Sequence, residues 1–214
     1  MIILNGVALS FRLEPVVNLF SQHIMGYEIL SRPAGEAPDT ERFFLSLPAE
    51  MLERVFYAQL RFFTAQCQAD PLLVRNLFIN LPPVLLLRER FMLSLTGYLP
   101  VTALNLEIQY DPGARNQAIP DFLKAPLPAG VRIWIDDVDG TAGSRFHSPA
   151  GPGIKLDKNT FWSLYRSRAS LSGFARIGPG RLIVEGVETA DHVGYLRENA
   201  VSFGQGYYWP ATRY

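Results

Sequence analysis

Short runs with a two-residue hydrophobic period alternate along the chain with longer stretches at helical spacing. Residues 10–19 (SFRLEPVVNL) and 23–30 (HIMGYEIL) flank a short polar turn, which predicts an antiparallel pair of strands. Over residues 42–69, Phe43, Leu47, Met51, Leu52, Val55, Phe56, Leu60, Phe63 and Cys67 follow an i, i+3/i+4 spacing. That is the stripe of a helix lying on a core, with Pro48 marking a break or a new first turn. Further strands are expected at residues 76–81 (NLFINL), 104–108 (LNLEI), 131–136 (VRIWID), 153–156 (GIKL), 182–185 (LIVE) and 202–207. Helices are expected at about 83–95, near 118–123, around 160–171 and near 189–199. Residues 139–152 (DGTAGSRFHSPAGP) are rich in Gly, Ser and Pro and read as loop, where a helix would otherwise join two strands.

This order is strand, strand, helix, then repeated strand–helix units. Several central strands are apolar on both faces, as parallel strands covered on both sides must be. The pattern predicts an α/β chain folded as a compact (β/α)8 TIM-like barrel, with an open doubly wound sheet as runner-up. No internal repeat or low-complexity linker divides the 214 residues, so a single domain over 1–214 is expected.

Composition narrows the partners. Twenty basic residues balance 20 acidic ones, which argues against duplex nucleic acid or an anionic membrane surface. The single cysteine, Cys67, rules out a disulfide framework and any cysteine-based zinc site, and it fits a reducing compartment. Apolar runs fall short of the ~20 residues that span a bilayer. Met1-Ile2-Ile3-Leu4-Asn5 lacks the basic opening of an export signal, so a cytoplasmic location is expected.

The chemistry is positional. Glu28, Asn80, Glu107, Asp136, Asp137 and Glu185 all stand at or near strand ends, and barrel strands converge at their C-terminal ends. Taken singly, each acid reads as a solvated turn residue or a helix cap. Taken together, so many carboxylates at one mouth would repel one another unless a cation intervened. Oxygen ligands without His or Cys favour Mg²⁺ or Mn²⁺. Regular alternation would send Asp136 and Asp137 to opposite sides of their strand. Lys155, inside an apolar strand, needs a charged partner to offset its desolvation. His23, His147 and His192 show no ligand spacing, and Glu188-Thr189 can cap the helix that follows. Phe62-Phe63 and Tyr207-Tyr208-Trp209 read as packing, with base stacking at a barrel mouth the alternative.

Seven motifs in order carry a resemblance. They are Glu28-Ile29-Leu30-Ser31-Arg32, Phe78-Ile79-Asn80-Leu81, Leu106-Glu107-Ile108, Asp136-Asp137, Lys155-Leu156-Asp157, Val184-Glu185-Gly186-Val187-Glu188-Thr189 and Gln205-Gly206-Tyr207. Over residues 11–210 the chain resembles the EAL domain, the bacterial cyclic di-GMP phosphodiesterase family. The resemblance implies a barrel whose first strand is antiparallel, and hydrolysis of cyclic di-GMP to linear pGpG at a two-metal site. It implies Glu28, Asn80, Glu107 and Asp136 for one metal, and Asp136, Asp137 and Glu185 for the other. It gives Lys155 the orienting of the attacking water, gives Glu188 and Gln205 the support of the ligand and water network, and gives Arg32 a ligand phosphate. Leu30 and Asp157, which sit inside the matching motifs, join the substrate-binding set.

The departures cluster. Ile29 stands where the family has Ala, Glu14 where it has Gln, and Tyr110 where it has a second Glu after Glu107. The loop after the paired aspartates reads Val138-Asp139-Gly140-Thr141 instead of Phe-Gly-Thr-Gly. These changes predict that residues 139–152 are mobile and do not build the family's homodimer. They also sustain a second reading, in which a non-catalytic EAL-like module contacts another protein or binds cyclic di-GMP without turning it over.

Overall fold

The computed structural model describes the chain except for residues 1, 5, 35–39, 89, 110–125, 140–150, 176, 179 and 214. The expected hairpin is long. Strand β2 (Val7–Asn18) pairs antiparallel with β3 (Ile24–Pro33) from Leu9↔Pro33 to Val17↔Ile24. Asn18 Oδ1 accepts the backbone N–H groups of Phe20 and Ser21, both at 3.0 Å, and closes the turn.

From β3 onward the neighbours run parallel: β4 (Asn76–Asn80), β5 (Ala103–Gln109), β6 (Val131–Val138), β7 (Gly153–Leu156), β8 (Leu182–Val184) and β9 (Phe203–Gly204). β9 then pairs with β2 (Val17↔Gly204), so β2 to β9 close an eight-stranded barrel with one antiparallel member. Two strands escaped the sequence pattern: β1 (Ile2–Leu4) and β10 (Thr212–Arg213). Both pair with the edge of β2 that β9 leaves free.

The strand faces explain the near-continuous apolar runs. Outward residues such as Leu77, Leu104, Leu106, Ile133, Ile154 and Val184 pack against helix residues Phe56, Leu60, Phe63, Phe161 and Leu196 in the main core. Each fully buried side chain of this size contributes about 1.5–3 kcal/mol. The inward set forms its own cluster of Val16, Phe78, Trp134 and Ile183, which plugs the barrel. Trp134 fits because position 153 is glycine; a Cβ there would lie 2.4 Å from the indole ring.

The helix stripe at 42–69 resolves into α1 (Thr40–Leu45) and α2 (Ala49–Ala69), with Pro48 as the cap between them. Phe63 and Cys67 are buried on its inner face, and Phe62 packs on the core's margin. The expected helix over 83–95 is instead a 3-10 turn (Pro83–Leu87) and a short α3 (Phe91–Leu95). Arg88 is extended (φ −84°, ψ 115°) and interrupts the path. After β7 come α4 (Lys158–Arg166) and α5 (Ser172–Ala175), and α6 (Ala190–Glu198) links β8 to β9. The strand expected at 202–207 shrinks to Phe203–Gly204. Tyr207 and Tyr208 are exposed rather than packed, and only Trp209 of that trio rests on the core. The readings at 118–123, at Tyr110 and for most of 139–152 lie outside the described residues. No helix among the described residues is long and apolar enough to cross a membrane.

Candidate functional site

Side chains two apart on a strand share a face. The inward face that carries Phe78 also carries Asn80, and the one that carries Trp134 also carries Asp136. Below the mouth, a polar string steadies the plug. Trp134 Nε1 donates to Asn105 Oδ1 (2.9 Å), Asn105 Nδ2 to Asn76 Oδ1 (2.7 Å), and Asn76 Nδ2 to the Met25 carbonyl (3.0 Å).

Above the plug sits Lys155, 1% exposed. Its Nζ lies 3.2 Å from Glu28 Oε2, 3.0 Å from Glu107 Oε1, 3.1 Å from Asp136 Oδ1 and 2.8 Å from Glu185 Oε1. Three strands of the barrel, and the residue that follows β8, thus deliver an acid to one ammonium. Glu28 is the most supported: Asn80 Nδ2 donates to its Oε1 (3.2 Å) and Gln205 Nε2 to its Oε2 (2.5 Å). Gln205 also reaches Glu14 Oε2 at 3.4 Å, and Glu14 is ion-paired with Arg12 beside Glu28 across the hairpin.

The regular alternation expected at Asp136-Asp137 does not hold. The β6–β7 register shifts between Ile135 and Val138, and Asp137 takes a left-handed conformation (φ 52°). For a non-glycine residue this costs about 1–2 kcal/mol, and Asp is among the residues that tolerate it. The bulge brings both aspartates to one side. Carboxylate oxygens of Asp136, Asp137 and Glu185 all lie within 4.8 Å of one another. Glu185 is followed by Gly186 at φ 73°, where a Cβ would stand 2.6 Å from Lys158 Cβ.

Electrostatics reflect too many acids for one base. Burial alone would lower the Lys155 pKa, but Asp136, Glu107, Glu185 and Glu28 together hold it well above its ordinary value. Burial would raise Glu28, yet Lys155 and the Gln205 hydrogen bond bring it below the usual carboxylate range. Glu107 is pushed well up, first by burial and then by the charge of Glu28. Burial, with Asp136 adding to it, lifts Glu185 to about 7 against the pull of Lys155. Asp137 rises through burial and the neighbouring Asp136 charge.

Such a cluster suits cations. The carboxylates of Glu28, Glu107, Asp136, Asp137 and Glu185 against one ammonium leave a formal excess of four negative charges. Glu107 Oε1 and Asp136 Oδ1 have only the Lys155 ammonium as partner, and Glu107 Oε2 and Gln205 Oε1 are buried without a hydrogen bond among the described residues. All are oxygen donors, the set that hard divalent ions prefer. Among the described residues, Asp136, Asp137 and Glu185 are the acids whose oxygens lie close enough together to share an ion, whereas Glu28, Glu107 and Asp136 meet at the Lys155 ammonium and Asn80 joins them through Glu28.

The remaining predicted residues lie around this centre. Leu30 and Arg32 follow Glu28 on the same hairpin face, and with Ser10, Arg12, Ser31 and Thr40 they line a cavity of about 490 Å³. Asp157 caps α4, its Oδ2 accepting the Thr160 N–H at 2.8 Å. Thr189 caps α6, so the capping reading of Glu188-Thr189 belongs to Thr189. Glu188 is exposed, and its backbone N–H donates to His192 Nδ1 (3.3 Å). Sequence reasoning missed Gln109, whose Nε2 donates to Asp137 Oδ2 at 3.1 Å. Its spacing of two from Glu107 was the available signal.

The EAL domain family model matches residues 4–211. Comparison with curated proteins gives no match. Among solved structures, the EAL enzyme Bd1971 in its cAMP- and cyclic-di-GMP-bound form superposes with a TM-score of 0.72 at 20% identity, covering 93% of this chain and 60% of Bd1971. The chain therefore spans about three fifths of that relative's length. The Klebsiella pneumoniae BlrP1 manganese/cyclic-di-GMP complex gives 0.69 at 22% identity, covering 98% of this chain and 57% of BlrP1. The EAL-like domain protein YdiV gives 0.68 at 20% identity, covering 96% of this chain and 93% of YdiV.

Proposed function

The chain belongs to the EAL domain family, and on that premise we propose that it is a metal-dependent phosphodiesterase that opens cyclic di-GMP to linear pGpG. The observation that carries this reading is the convergence of Glu28, Glu107, Asp136 and Glu185 on the single Lys155 ammonium, with Asp137 joining Asp136 and Glu185 within 4.8 Å. BlrP1 was solved as a manganese/cyclic-di-GMP complex, and MucR, described as a phosphodiesterase, as a c-di-GMP complex.

When bound, a divalent pair supplies Lewis acidity toward the phosphoryl oxygens and lowers the pKa of water. The rest falls to the chain's own groups. Gln205 Oε1, buried and without a hydrogen-bond partner among the described residues, is available to accept a hydrogen bond from the attacking water. That water forms a P–O bond as the P–O3′ bond breaks, and the proton ends on the leaving 3′ oxygen. The product keeps a 5′ phosphate. Lys155 places its ammonium where negative charge develops on the phosphorus oxygens. Arg32 meets a phosphate of the ligand, Leu30 and Asp157 complete the substrate-binding set, and Glu188 with Gln205 supports the ligand and water network.

A second reading, an EAL-like module acting through protein contact, is favoured by Glu14. It sets another acid against Glu28 where an anionic ligand must enter. Chromatography of nucleotide incubated with the protein and Mn²⁺ or Mg²⁺ separates the two. Accumulating pGpG that vanishes on chelation supports the enzyme, and intact cyclic di-GMP with folded protein in both metals supports the module.

A further inference from the structure

We infer that Gln109 is the positioning residue for Asp137, fixing which oxygen that aspartate can offer to a cation. The inference rests on the reading that Asp136, Asp137 and Glu185 take up a divalent ion.

Three independent features meet at this contact. Gln109 ends β5 two residues after Glu107, so it shares the inward face of that strand. It pairs in register with Asp136, which places it one residue from Asp137 on the neighbouring strand. The β6 bulge and the left-handed φ of 52° then turn Asp137 out of regular alternation and toward it. Gln109 Nε2 donates to Asp137 Oδ2 at 3.1 Å, and among the described residues it is the donor that holds this carboxylate.

The consequence is directional. A lone carboxylate on a strained bulge can rotate and meet an ion through either oxygen or both. With Oδ2 engaged by the amide, Oδ1 is left for the ion, and the carboxylate plane is set by β5. The amide is neutral, so it orders Asp137 without adding charge to an already over-acidic mouth. Groups that orient metal ligands in this way typically shift metal affinity by ~10–100-fold.

The test uses Gln109→Ala and Gln109→Leu in the full chain, read by Mn²⁺ calorimetry, by electron paramagnetic resonance of bound Mn²⁺, and by melting of the metal-free protein. No nucleotide is needed. The expected result is wild-type Mn²⁺ binding, about tenfold weaker binding in both variants, an altered Mn²⁺ spectrum, and unchanged metal-free melting. Wild-type-like affinity and spectrum in the variants would overturn the inference while leaving the metal site intact. Equal losses of metal-free stability and affinity would also overturn it, because Gln109 would then only hold the fold. Absence of Mn²⁺ binding in the wild type would overturn it together with the reading beneath it.

Discussion

Lys155 Nζ lies 2.8 Å from Glu185 Oε1, the shortest of the four ion pairs that this buried ammonium makes. The pairing explains how a lysine occupies the interior of a strand otherwise composed of Gly153, Ile154 and Leu156. It also explains why removing the lysine should be worse than removing one acid. Lys155→Met leaves several carboxylates buried without counter-charge, a loss on the order of 3–5 kcal/mol for a broken buried pair. Denaturant unfolding should show this loss at about pH 8 and a smaller one at about pH 5, where the acids with raised pKa take up protons instead. An equal loss at both pH values would mean that packing of the alkyl chain, not charge, dominates.

The acids themselves set a pH signature. Glu185 titrates near 7 in the folded chain against an ordinary 4.5, so between those values the native state holds a proton that the unfolded chain has released. Stability of the metal-free protein therefore falls as pH rises through that window and levels off above it. Glu107, Asp137 and Glu14, also raised, act in the same direction. Glu28, lowered, contributes stability above its unfolded value that is lost only as pH drops further. A divalent ion must displace the Glu185 proton, so Mn²⁺ affinity should climb up to about pH 7. Calorimetry in buffers of different ionisation enthalpy should register proton release on Mn²⁺ binding below that pH. No release would place the ion away from Glu185.

Glu14 opposes the proposed ligand. Burial raises its pKa, Arg12 offsets it, and Glu28 raises it further. Glu14→Gln keeps a hydrogen-bonding side chain beside Gln205 and frees the Arg12 guanidinium from its ion pair. With like charges worth about 1 kcal/mol or more at this range, cyclic di-GMP should bind roughly three- to tenfold tighter by equilibrium dialysis. Unchanged or weaker binding would mean that the ligand's phosphates stay clear of this corner.

Much of this could be read from residue order. The two periodicities located α2 and the strands, because each strand's outward face is apolar and the plug Val16, Phe78, Trp134 and Ile183 makes the inward face apolar too. The site's acids could be found because strand ends converge. What stayed hidden depends on backbone conformation that composition does not encode. Nothing in Ile135-Asp136-Asp137-Val138 signals the bulge that puts both aspartates on one side. Ile2–Leu4 and Thr212–Arg213 are too short to show a period and exist as strands only because β2 outruns its partner β9. Arg88, an ordinary helix former, is extended where the pattern continued a helix.

The plug offers a test of the barrel beneath the site. Gly153→Ala sets a Cβ 2.4 Å from Cε3 of Trp134. The indole is held by Asn105 at 2.9 Å and cannot yield without breaking that bond. Overpacking of this kind costs about 1–3 kcal/mol, visible as a lower unfolding midpoint and a changed near-ultraviolet signal. Wild-type stability would show that the interior has room that this packing denies it.

On the proposed function, the acids at the barrel mouth hold a pair of divalent ions. Anomalous diffraction from crystals grown with Mn²⁺ addresses it without recourse to turnover. Two peaks about 3.5–4 Å apart are predicted, one bounded by Glu28, Asn80, Glu107 and Asp136 and one by Asp136, Asp137 and Glu185. A mouth without anomalous signal, with Lys155 still bound to its four carboxylates at saturating Mn²⁺, would rule the metal-dependent reading out.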